Sequence, residues 1–189
     1  MNLIFLGLPG TGKGTQAVVV AKEFAIPHIA TGDLFRRAIK EDTSLGRTVK
    51  EYLDTGGLVP DGITLAMVKE RLGKEDTRDG FILDGFPRTV VQAKGLAKIM
   101  AELGRKMDGV ICFNVEEEIL VQRLTGRRVC SNCGANYHVD FKKPQVEGIC
   151  DECGKKLYQR QDDQEETVKN RLKVNKNNTL ELMDYYKKQ

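Results

Sequence analysis

The chain has 189 residues, 40% hydrophobic and 30% charged, with a formal net charge of +3. That is an ordinary globular mix, large enough for one sizeable core and a small insert. The near-balanced charge gives no argument for duplex nucleic acid, and no apolar run approaches the ~20 residues of a membrane span.

Met1-Asn2-Leu3-Ile4-Phe5-Leu6 lacks a basic segment, and its apolar run is too short for a secretory signal, so a cytoplasmic location is expected. Leu3 to Leu6 reads as a buried strand. Gly7-Leu8-Pro9-Gly10-Thr11-Gly12-Lys13-Gly14-Thr15 comes next, and Ala17, Val20, Ala21 and Phe24 then recur at helical spacing. The glycines therefore occupy a strand-to-helix turn, the context of the phosphate-binding pattern G-x-x-x-x-G-K-[ST]. Gly10, Gly12 and Gly14 let backbone N–H groups converge on an anion at a helix N-terminus. Lys13 adds a point charge. Gly14 stands where the pattern has a hydroxyl, and Thr15 supplies one a residue later.

Ile26 to His28 predicts a second strand, ended by Thr31-Gly32-Asp33, with Thr31 or Asp33 capping the next helix. Leu34, Phe35, Ala38 and Ile39 carry that helix. Another runs from about Leu45 to Leu53 and stops at Gly56-Gly57, and a third opens at Leu58-Val59-Pro60-Asp61 and reaches Leu72. Residues 30–60 thus form a helical excursion between two strands. Gly80 to Asp84 predicts the third strand, and a helix with Ala93, Leu96, Ala97, Met100 and Leu103 on one face follows. Gly109 to Val115 predicts a fourth strand, placing Cys112 in the core. Glu116-Glu117-Glu118 suits the start of a helix through Leu120, Arg123 and Leu124. Strands alternating with helices argue for a parallel sheet covered on both faces. From Glu165 the helical pattern resumes with Val168 and Leu172, breaks near Asn177-Asn178, and continues through Leu182, Met183 and Tyr186.

Residues 126–163 differ in composition and should form a separate lobe. Cys130 and Cys133 make one C-x-x-C pair, Cys150 and Cys153 another, with 16 residues between. The spacing fits a zinc ribbon, and four thiolates leave no open coordination position, so the metal is expected to be structural. His28 and His138 lack a partner pattern and read as structural. Arg36, Arg88, Arg123, Arg127, Arg128, Arg160 and Arg171 stand at motif borders and turns. Any one of them is ordinary on a solvated face, but phosphoryl transfer needs such a set to neutralise and align two phosphate groups. Asp84, at a strand's C-terminal end, suits Mg²⁺, directly or through water; its plain alternative is a cap or a salt bridge.

Gly7 to Gln16, Thr31-Gly32-Asp33-Leu34-Phe35-Arg36, Leu83-Asp84-Gly85-Phe86-Pro87-Arg88, Gly126-Arg127-Arg128 and Tyr158-Gln159-Arg160-Gln161-Asp162-Asp163 together resemble bacterial adenylate kinases of the long, zinc-bearing type. The resemblance implies an α/β P-loop fold: a CORE of 1–29, 60–125 and 164–189, an NMP-binding insert of 30–59, and a zinc-binding LID of 126–163. It implies reversible Mg²⁺-dependent transfer from ATP to AMP, giving two ADP, by a monomer with no nucleic-acid or membrane partner. Gly10, Thr11, Gly12, Lys13, Gly14 and Thr15 would hold the ATP phosphates, with Arg123, Arg127, Asn136 and Tyr137 on the same side. Thr31, Arg36, Gly57, Leu58, Val59, Gly85, Phe86, Pro87, Arg88 and Gln92 would hold AMP, Gln92 reading its base. Arg160 and Arg171 would reach AMP and the moving phosphoryl group. Catalysis would fall to Lys13, Arg88, Arg123, Arg127, Arg160, Arg171 and Asp84. Asp33 and Asp84 would order Mg²⁺ waters, and Asp162 and Asp163 would dock the LID about hinges near Gly126 and Asp163. Thr11 replaces the family's usual Ala. The family pattern continues past Gln189 with a strand, an adenine-contacting loop and a helix, so one sheet edge is expected to be uncovered here. Competing readings are a kinase for another nucleoside monophosphate, a zinc-ribbon nucleic-acid-binding module with a weak NTPase-like core, and a catalytically weak binding protein.

Overall fold

A computed structural model describes residues 1–189. Four parallel strands form the central sheet: β1 (Asn2–Leu6), β2 (His28–Ala30), β3 (Phe81–Asp84) and β4 (Gly109–Cys112), in the order β2-β3-β1-β4. Alternation along β1 sends neighbouring side chains to opposite faces. Leu3 and Phe5 join Ile82 of β3, Ile26, and Ala17 of α1 (Lys13–Glu23) on one face. Ile4 and Leu6 join Ile29, Phe81 and Leu83 on the other. There they meet α4 (Asp61–Leu72) through Val68 and Leu72, α5 (Val90–Glu102) through Leu96 and Met100, and Leu182 near the chain's end. Both sheet faces are therefore covered, as the alternation of elements predicts.

Two satellites leave this core. Between β2 and α4, α2 (Thr31–Lys40) and α3 (Ser44–Asp54) close on Phe35, Val49 and Val59. After α6 (Glu117–Thr125), the strands β5 (Arg127–Cys130), β6 (Asn136–His138) and β7 (Leu157–Tyr158) form a small antiparallel sheet around Cys130, Tyr137 and Cys150. The chain returns through a single 3-10 turn, Gln161–Asp163, into α7 (Glu165–Lys187), which packs Val168 and Leu172 on Leu120 and Leu124 of α6.

Several sequence expectations are corrected. β2 lies two residues later than predicted, and α2 starts directly at Thr31 with no side-chain cap. The Thr31 hydroxyl instead donates to Gly85 O at 3.0 Å, and Asp33 pairs with Arg36 at 2.6 Å. β4 stops at Cys112, which is exposed. The strand pairs with β1 alone and Ile111 is 44% exposed, so an apolar run here marks an edge, not the core. α7 is unbroken through Asn177-Asn178. Asn178 and Asn175 turn their amides onto the carbonyls four residues back, Val174 O at 3.0 Å and Arg171 O at 2.7 Å, which keeps these polar side chains inside the helical ladder.

Candidate active site

Register brings the site together. Phe5 and Ala30 both align with Asp84, so β1, β2 and β3 end at one sheet edge, and their following loops meet there. The loop after β1 turns into α1 at Gly12, whose φ of 95° only glycine adopts without strain. Lys13 is 8% exposed and folds over its own loop, donating to Gly7 O and Leu8 O at 2.8 Å each. Burial pushes the Lys13 ammonium down to about 8 against the opposing charge of Asp84. Thr11 donates to Leu8 O at 2.8 Å, so its extra hydroxyl fits the loop it departs from. Arg123 Nη1 reaches Gly10 O at 3.5 Å. Thr15 is exposed at the first turn of α1.

Beside this loop lies a cleft between α2, α3 and the end of β3. Thr31, Arg36, Gly57, Leu58, Val59, Gly85, Arg88, Gln92 and Arg171 line it. Phe86 and Pro87 do not line it: both are buried beneath it, Phe86 in the main core. The motif residues are continuous in sequence, but only Gly85 and Arg88 among them face the cleft. Phe35, Leu53, Gly56 and Thr64 also line it, and nothing in the sequence separates them from ordinary helix residues.

Five guanidinium groups converge between cleft and loop. Burial, reinforced by Arg171 and Arg36, lowers Arg88 to about 10, and burial with Arg36 and Arg127 lowers Arg160 to about 10. Both stay charged near neutrality. Asp163, wholly buried, takes two bonds from Arg127 and lies 3.4 Å from Arg171. Asp162 lies 3.1 Å from Arg171 and 3.8 Å from Arg36. Burial opposes the charge on Asp162, but Arg171, Arg36 and Arg127 outweigh it and hold its pKa below the usual range. Asp33 likewise sits low against its burial, through Arg36 and then Arg160 at 3.4 Å. Arg160 Nε is buried with no protein partner, a donor suited to an anion. The sequence missed one contact here: His28 Nε2 lies 3.2 Å from Asp84 Oδ2, 56 residues away in the chain.

In the small lobe the four cysteine Sγ atoms lie within 4.8 Å of one another, with Cys130–Cys153 at 3.4 Å and Cys133–Cys150 at 3.6 Å. A tetrahedral thiolate site with 2.3 Å metal bonds needs sulfurs about 3.8 Å apart, and a disulfide about 2.05 Å, so the group fits a metal. Gly134 N and Gly154 N return to Cys130 O and Cys150 O, closing the two predicted turns. Tyr137 belongs to this cluster: its hydroxyl accepts from Asp151 N at 2.8 Å and lies 3.5 Å from Cys150 Sγ. Asn136 is exposed beside it. The side chain of Tyr137 thus supports the knuckle, and its backbone pairs with Arg128 in the small sheet.

At the lobe's root, the predicted hinge Gly126 abuts His138. A Cβ there would come within 2.3 Å of His138 Nε2. The ring is fixed on three sides: Nε2 donates to Gln122 O at 3.2 Å, and Nδ1 accepts from Asp140 N and Phe141 N. The structural reading of His138 therefore acquires a definite place.

The model of the adenylate kinase family matches residues 5–189. The chain is 57% identical over 188 residues to an adenylate kinase of Geobacillus sp. (strain WCH70), covering all of this chain and 87% of that protein. It is 56% identical to one of Caldicellulosiruptor bescii, over 99% of this chain and 87% of the relative. It is 57% identical to one of Staphylococcus aureus (strain Mu50), over 98% and 86%. A glycine loop under a lysine, a separate cleft and a bridge of arginines are what such enzymes need, and by matches of this extent the chain belongs to the adenylate kinase family.

Proposed function

We propose a division of labour among these residues for reversible phosphoryl transfer from ATP to AMP, the family's reaction. The amides of Gly10 to Thr15 and Lys13 hold the ATP phosphates, with Arg123 and Arg127 on the same flank and the backbone of Asn136-Tyr137 near the nucleotide. The cleft between Thr31, Gly57 to Val59, Gly85 and Gln92 takes AMP, and Arg36 and Arg88 grip its phosphate. Arg160 and Arg171 stand between the two and neutralise the charge spread over the transferring group. The observation that carries this reading is the meeting of five guanidiniums between a phosphate loop and a separate cleft. Little covalent work falls to the protein, so alignment and charge supply the rate.

Residues 30–59 and 126–163 act as two moving flaps on a CORE of 1–29, 60–125 and 164–189. Closing them shuts water away from an activated phosphoryl group. Asp162 and Asp163 dock the flap of 126–163 by pairing with Arg171 of the CORE, and Asp162 reaches Arg36 of the other flap. Asp84, steadied by His28, and Asp33 suit water-mediated contact with Mg²⁺, which supplies charge neutralisation at the phosphates. Cys130, Cys133, Cys150 and Cys153 suit zinc, which would fasten a lobe too small to build its own core. The protein is read as a monomer acting in the cytoplasm with no nucleic-acid partner. No helix is long and apolar enough to cross a membrane, and no cysteine pair is close enough for a disulfide.

A coupled assay for ADP formation with AMP, CMP, UMP and GMP as acceptors tests the reading. AMP should be strongly preferred. Equal rates with a second monophosphate would favour a broader nucleoside monophosphate kinase.

A further inference from the structure

We propose that Asp61 determines base specificity. Its carboxylate locks the Gln92 amide in one of its two orientations, so the cleft takes a 6-aminopurine monophosphate over its 6-oxo counterpart. This deepens, and rests on, the reading that Gln92 meets the acceptor base.

Asp61 opens α4, just past the cleft-lining stretch Gly57 to Val59. Its Oδ1 accepts from Gln92 Nε2 at 2.8 Å and from the Thr89 hydroxyl at 3.0 Å. At the other end of the amide, Gln92 Oε1 accepts from the backbone N–H of Arg88 at 2.8 Å. The Thr89 hydroxyl itself accepts from Gln92 N at 3.1 Å, capping α5. Gln92 is 2% exposed and lines the cleft.

The two ends of a glutamine amide are nearly equal in shape, so partners alone decide which way it faces. Here the partners are unambiguous. A carboxylate only accepts, and a backbone N–H only donates. Turning the amide over would set Oε1 against the Asp61 carboxylate and Nε2 against the Arg88 N–H. Either mismatch leaves a buried polar group unpaired.

With those two bonds made, Gln92 keeps one N–H and one carbonyl lone pair for a ligand. Adenine offers an amino donor next to a ring-nitrogen acceptor. A 6-oxopurine offers a carbonyl acceptor next to a ring N–H donor, the reverse order. A free amide would satisfy either base by turning over. A locked one satisfies only the first.

Asp61→Asn tests this. Asparagine keeps the shape but can turn either its oxygen or its nitrogen to Gln92, so one of the two latches no longer selects an orientation and only the Arg88 N–H still does. The measurement is kcat/KM for AMP and for inosine monophosphate, which carries the oxo group without a second amino group. The AMP-to-IMP ratio should fall about tenfold, equivalent to about 1.4 kcal/mol, through a rise with IMP. Asp61→Ala, which removes the latch, should move the ratio the same way. Ratios within twofold of wild type in both variants, with wild-type melting, would overturn the lock. Gln92→Leu separates the layers. If it loses AMP turnover while the Asp61 variants leave the ratio fixed, the lock alone is wrong. If it keeps full AMP turnover, the base-reading role falls and the lock with it.

Discussion

Replacing Asp163 by Ala is expected to destabilise the fold far more than removing an exposed partner. The Asp163 side chain is 0% exposed, receives Arg127 Nε at 2.8 Å together with a second bond from Nη2, and lies 3.4 Å from Arg171. Deleting one partner of a buried pair costs about 3–5 kcal/mol, because the remaining charge stays desolvated without compensation. Arg171 keeps Asp162 at 3.1 Å, so the loss falls mainly on Arg127. That argues for the lower end, about 3 kcal/mol. In a chain of this size each kcal/mol moves Tm by about 2–4 °C, giving a drop of about 6–12 °C. Glu102→Ala is the control. The Lys69–Glu102 pair is as short, 2.7 Å, but its side chains are 60% and 57% exposed. Such pairs contribute less than about 1 kcal/mol. Scanning calorimetry of both variants and wild type at pH 7 reads the difference. A Tm for Asp163→Ala no lower than for Glu102→Ala would refute the burial argument. Asp163→Asn keeps one acceptor and the volume, and should fall between the two.

Burial lowers Lys13 to about 8, so on the proposed role of its ammonium at the ATP phosphates, ATP should bind about tenfold more weakly at pH 9 than at pH 7. Calorimetric titration with a non-hydrolysable ATP analogue checks this, and a flat profile would contradict it. On the proposed zinc site, treating the zinc-loaded protein with a chelator should lower Tm more than turnover at 25 °C, since four thiolates would fasten a lobe and leave no position for substrate. Equal loss of both from a folded protein would assign the metal a part in the chemistry. Gly126→Ala would drive a methyl into His138 and should lower kcat by about tenfold through a mis-set lobe. Adding His138→Ala should restore much of that rate, and failure of the double variant to recover would show that the clash is not the cause.

Local chemistry was the most legible part of this sequence. The glycine loop, the cysteine pairs and the strand-end Asp84 each declare themselves within a few residues, because their function demands fixed short spacings. The arginine set was visible as a list, but its wiring was not. Asp163 and Arg127 lie 36 residues apart, and only the fold makes them a pair. Asp61 and Thr89 read as ordinary helix-start residues, and Gln92 as a base contact without partners, until α4 and α5 are placed side by side. Cys112 was misread because apolar character does not distinguish a central strand from an edge. Asn177-Asn178 suggested a break because asparagine competes for backbone hydrogen bonds, and in α7 that competition is settled along the helix itself.

The turn at Asp162 and Asp163 also sets the electrostatic starting point for any phosphate that arrives. The cationic cluster is already partly balanced from within, by carboxylates of the same chain. On the proposed reading, an incoming nucleotide exchanges one anionic partner for another instead of falling into a bare positive well. Exchange of this kind keeps selectivity for a doubly charged oxyanion while limiting the depth of the trap, and a catalyst that must release two products in either direction depends on that shallowness.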